Sequence, residues 1–68
     1  PMSAFELRRR LSQLQAERLD AIDAGLGANG PYLRSLHGDL AATRAAYVGV
    51  AVTEIATLRA QLSGADLG

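Results

Sequence analysis

His37 is the only histidine in the chain, and a lone imidazole becomes a metal site or a general base only when other groups join it. No second histidine, cysteine or tight carboxylate cluster does so, and His37 reads as a surface or helix-end residue. Asp20 and Asp23 stand three apart, which puts both carboxylates on one helix face, the spacing an acid and base pair could use. Their neighbours are polar and no second half of a site accompanies them, so they read as a solvated face near a turn. Gly25, Gly27 and Gly30 share only their glycines with a phosphate loop, because no strand precedes them and no Lys-Ser or Lys-Thr follows. No serine has a base and an orienting acid within a recognisable pattern. The chain therefore reads as not an enzyme, with no catalytic residue, cofactor or metal site expected.

Arg8, Arg9 and Arg10 are the one run that could touch nucleic acid. Three adjacent residues on a helix leave in three directions, and no aromatic platform interleaves them, so a solvated or partner-facing cluster is the first reading. Nucleic-acid contact by a small dimeric regulator is the alternative. All seven basic residues are Arg and are balanced by seven acidic ones, so no net field points to nucleic acid or anionic lipid.

The elements that must carry these side chains are helices. Ser3 followed by Glu6 has the spacing of a capping box, and Met2 with Leu7 stands at the positions of a hydrophobic staple around it. Helix 1 is expected over about residues 3–24, with Leu7, Leu11, Leu14, Ile22 and Leu26 as its apolar stripe, Arg18 interrupting, and a polar remainder. Residues 25–30 concentrate glycines and Asn29 before Pro31, which predicts a turn. Gly25 or Gly27 suits the left-handed residue that closes a helix, Asn29 or Gly30 the next cap, and Pro31 the first turn beyond it.

Helix 2 is expected over about 31–63, stopped by Gly64, with 64–68 as a frayed tail. Its stripe is Leu33, Leu36, Leu40, Arg44, Tyr47, Ala51, Ile55, Leu58 and Leu62, whose mean step near 3.6 is that of a straight helix rather than the 3.5 of a coiled-coil heptad. Gly38 could kink or divide it, and Gly49 could mark close approach by a neighbour. A competing assignment makes the β-branched run Tyr47–Val52 a strand, but no second strand offers to pair with it. A short turn folds neighbouring helices back antiparallel. With Ala24 beside Pro31, Arg8 comes level with Tyr47 and Ser3 with Val52. Thr53 to Ser63 then project roughly 16 Å past helix 1. In this arrangement Arg34 comes close to Asp20 and Asp23, and Glu6 can pair with Arg9 or Arg10.

The expected fold is thus all-α, a single helical-hairpin domain over residues 1–68 whose second helix is the longer. At 68 residues such a chain buries too little surface to be comfortably stable without a disulfide, metal or partner, and it has no cysteine. A partner is left. Tyr47, Val48, Ala51, Val52, Ile55, Leu58 and Leu62 are the expected interface, with Tyr47 a better anchor than Tyr32. The simplest assembly is a homodimer forming a four-helix bundle, though another helical protein, as in a chaperone-like subunit, would serve the same surface. The longest charge-free stretch, Ala45–Thr53, is far shorter than the roughly 20 apolar residues of a membrane span. With no secretory signal visible, the cytoplasm is the default location. The absence of Lys beside many Arg, Ala and Gly points toward a GC-rich bacterial genome.

Overall fold

A computed structural model describes the backbone of residues 2–67 and the side chains of residues 2–64. The described residues form two α-helices, α1 (Ala4–Asp23) and α2 (Gly30–Leu67), joined by a 3₁₀ turn at Leu26–Ala28. There is no strand among the described residues, and Tyr47–Val52 lies within α2. No described helix is long and apolar enough to cross a membrane.

Local chemistry sets each boundary. The Ser3 hydroxyl accepts the Glu6 N–H at 3.2 Å, and the Ser3 N–H donates to Glu6 Oε1 at 3.3 Å, which completes the capping box. At the other end of α1 the Ala24 N–H donates to the Asp20 carbonyl and the Gly25 N–H to the Ile22 carbonyl. Gly25 takes the left-handed conformation, at φ 88°, that turns the chain out of the helix. Asn29 starts α2: its Oδ1 accepts the Tyr32 N–H at 3.1 Å while its carbonyl accepts the Leu33 N–H at 3.0 Å. Pro31 sits in the first turn, where no helical hydrogen bond needs its missing donor.

Beyond that point α2 is continuous through Gly38, Gly49 and Gly64, so neither of the first two divides it. Gly64 does not stop it either. A glycine ends a helix by adopting positive φ, and among the described residues only Gly25 does. Residues 64–67, expected to fray, are helical, and residue 68 lies outside the described residues.

The seam between the helices follows a 3.5-residue period. On α1 the inward positions are Ala4, Leu7, Leu11, Leu14, Arg18 and Ala21, and on α2 they are Leu33, Leu36, Leu40, Thr43, Tyr47 and Val50, all buried or half-buried. Alternating steps of three and four define a heptad, so the straight-helix period expected for α2 is corrected within the hairpin. Thr43 takes the place given to Arg44, which is exposed. A threonine is tolerated there because its hydroxyl donates to the Asp39 carbonyl at 2.7 Å. The same stepping carries α1 from Leu14 through Arg18 to Ala21, leaving Ile22 and Leu26, expected in the stripe, exposed. Leu14, Leu36 and Leu40 form the core, with Leu11 and Tyr32 packed against it.

Register is close to expectation near the middle, where Gln15, Arg18, His37 and Leu40 line one groove between the helices. At the open end the Ala4 N–H approaches Glu54 Oε1 at 3.5 Å, the Glu54 side chain reaching back to the start of α1. The uncovered part of α2 runs from Ile55 to Leu67, about 20 Å at the helical rise. The molecule is a rod of 60 × 16 × 15 Å with a radius of gyration of 17.3 Å, against about 11 Å for a compact chain of this length.

Candidate interaction surface

The residues weighed for chemistry stay apart. Asp20 and Asp23 are exposed at the closed end, and Gly25, Gly27 and Gly30 shape the turn. Among the described residues no three His, Cys, Asp or Glu side chains gather as a metal site would require. His37 lies in the groove between the helices beside Gln15, Arg18 and Arg44. Arg8, Arg9 and Arg10 are all exposed, and successive residues of a helix diverge by about 100°.

Two expected ion pairs are replaced by other contacts. The Glu6 carboxylate is taken up by the Ser3 N–H and hydroxyl rather than by Arg9 or Arg10. The Arg34 side chain folds back over Gly30, its guanidinium 3.1 Å from where a Cβ would stand, rather than reaching Asp20 or Asp23. Tyr32 instead ties the helices, its hydroxyl donating to Glu17 Oε1 at 3.0 Å. That hydrogen bond, then burial, then the Glu17 charge hold the phenol above its ordinary value near 10.

What the surface does offer is apolar. Val48, Val52, Ile55, Leu58 and Leu62 are each between 52% and 69% exposed, although the backbone beneath them is continuous helix. Counting about 100° per residue, this row lies roughly a quarter turn around α2 from the seam that meets α1. The seam's own 3.5-residue continuation past Val50 falls on Glu54, Thr57 and Gln61, which are polar. Thr53 and Thr57 satisfy their hydroxyls on the carbonyls of Gly49 and Thr53. α2 thus carries two apolar rows at different angles, one used by α1 and one left open.

Tyr47 and Ala51, grouped with the expected interface, are half-buried at the seam and so partly spent on α1. Shallow grooves flank the open row, one lined by Val52, Ile55, Ala56 and Arg59 and the other by Thr53, Glu54, Thr57, Leu58 and Gln61. The face of α1 expected to be polar carries Phe5 at 74% exposure and also Leu19. The visible signal was that Phe5 and Leu19 are apolar yet off the heptad positions. Comparison with models of protein families, with curated proteins and with solved structures finds no match to this chain.

Proposed function

We propose that the chain is a non-enzymatic interaction module, a small scaffold, adaptor or regulatory subunit that self-associates through α2 into a four-helix bundle. The observation that carries this reading is the open row of Val48, Val52, Ile55, Leu58 and Leu62 on an intact helix. Full burial of such side chains is worth roughly 1.5 to 3 kcal/mol each. Covering what remains exposed would therefore add an amount comparable with the roughly 3 to 10 kcal/mol expected for a domain this small.

Surface area supports the same reading. A compact monomer of this mass exposes about 4,100 Å², whereas this chain exposes 5146 Å². The surplus, on the order of 1,000 Å², is close to the roughly 800 Å² that each partner gives to an ordinary stable interface. Zero net charge leaves no repulsion between copies to oppose it. Divergence of Arg8, Arg9 and Arg10 gives the nucleic-acid alternative no comparable support.

Light scattering with circular dichroism over a dilution series tests the proposal. Wild type is expected to be dimeric and its helicity to fall only on strong dilution, while Ile55→Asp is expected to be monomeric and less helical at the same concentration. A variant as large and as helical as wild type would show that the interface lies elsewhere. A wild-type chain that is monomeric and poorly folded at micromolar concentration would shift the reading to a subunit of a hetero-complex.

A further inference from the structure

The open row reads the same from both ends, as an antiparallel two-fold pairing of two copies requires. An antiparallel two-fold pairing places each residue opposite the one equally far beyond the axis, so the contacting row must read the same from both ends. A simple heptad, stepping three and four in alternation, is not symmetric about any of its own residues. The open row steps four, three, three, four: Val48 and Val52 precede Ile55 by seven and three residues, and Leu58 and Leu62 follow it by three and seven. We infer that the occupant of this face is a second copy of the chain, its α2 antiparallel to the first, with the two-fold axis passing at Ile55. The inference rests on the self-association proposed above and adds the orientation and register; in this register the two α1 helices lie on opposite sides of the axis, so the pair is at most three helices thick at any level and the overhangs form its centre.

In this pairing Ile55 meets Ile55, Val52 meets Leu58 and Val48 meets Leu62. Flanking positions fit as well. Arg59, four residues after the axis, faces Ala51, four before it, so the longest side chain beside the row meets a methyl group. A parallel pairing in register would instead set Arg59 against Arg59 and Arg44 against Arg44, and like charges brought together are unfavourable. α2 is long enough for its partner, since backbone to Leu67 reaches past the level of Arg44 of the other copy.

The second copy's overhang runs beside the N-terminal half of α1, parallel to it. Arg8, Arg9 and Arg10 stand at the positive end of their own helix, where the dipole disfavours them. In the pair they come level with positions 63–65 of the other α2, and their divergence lets one of the three turn toward its negative end. That helix has no basic residue in its last turn to complement its negative end.

The absence of cysteine allows a direct test. Val48→Cys and Leu62→Cys chains, which differ in mass, are mixed, equilibrated in a glutathione redox buffer and read by mass spectrometry, with sedimentation of the wild type alongside. The mixed 48–62 disulfide is expected to exceed either homodisulfide by about tenfold, because like positions stand about 21 Å apart along the axis and cannot be bridged. Homodisulfides in excess, or a statistical mixture, from a chain that is dimeric would overturn the antiparallel register and leave self-association standing. A monomeric wild type would overturn self-association itself. Ile55→Cys is expected to crosslink to itself, and its failure to do so in a dimeric chain would remove this face from the interface.

Discussion

Along α2 the same kinds of side chain meet opposite fates on either side of Glu54. Before it, Leu36 and Leu40 are 4% and 7% exposed against α1. After it, Ile55, Leu58 and Leu62 are mostly exposed on a helix that continues without a break. The two rows differ in phase as well as cover: the buried one follows the heptad seam, and the open one, which begins at Val48 and Val52 and continues into the overhang, lies about a quarter turn away. Had the overhang merely extended the hairpin, its apolar residues would fall at 54, 57 and 61, where Glu54, Thr57 and Gln61 stand. The apolar surface of α2 is thus divided between a row that closes the hairpin and a row left open.

Truncation in each region puts that division to the largest test. Leu40→Ala is expected to cost about 2 to 5 kcal/mol, because it opens a cavity in the core formed with Leu14 and Leu36. Urea unfolding should show this loss at every protein concentration. Leu58→Ala is expected to change the concentration-independent stability by no more than about 0.5 kcal/mol, as an exposed position does, while weakening association. Equal, concentration-independent losses for the two variants would erase the distinction.

A smaller effect concerns the back of the helix. A Cβ at Gly49 would meet nothing within 4 Å. Gly49→Ala is therefore expected to raise thermal stability by up to about 1 kcal/mol with the dimer intact. Loss of the dimer in that variant would move the interface onto the small-residue side of α2.

The smallest effect belongs to the closed end. A phenol raised above its unfolded value stabilises the fold below the ordinary value near 10, and that contribution is lost as pH rises through the raised one. Glu17→Ala is expected to return the Tyr32 titration toward 10 by ultraviolet absorbance and to remove this alkaline dependence. An unchanged titration would mean that the tie between Tyr32 and Glu17 does not form in solution.

Much of this was legible in the sequence because it depends on local chemistry. The Ser3 and Glu6 box follows from residues a few positions apart, and the same local chemistry narrows the left-handed residue to Gly25 or Gly27 and the next cap to Asn29 or Gly30, between which the structure chooses Gly25 and Asn29. The choice between Thr43 and Arg44 was not legible. Periods of 3.5 and 3.6 drift apart by only about 20° per heptad, so counting steps cannot separate them until a partner helix selects one. Ala21 in place of Ile22 has the same origin, since hydrophobicity favours the isoleucine and only the seam's stepping favours the alanine. The open row was visible as excess apolar surface. Its separation from Tyr47 and Ala51 required knowing how far around α2 the first helix reaches.

The continuity of α2 through three glycines has a mechanical consequence. An unbroken helix resists twisting as well as bending, so it behaves as a crankshaft: whatever grips the overhang is held at a set angle to the hairpin. One residue inserted after Glu54 would advance that grip by about 1.5 Å and swing it by about 100°. Seven inserted residues would lengthen the shaft by about 10 Å and bring the grip back to within about 20° of its original direction.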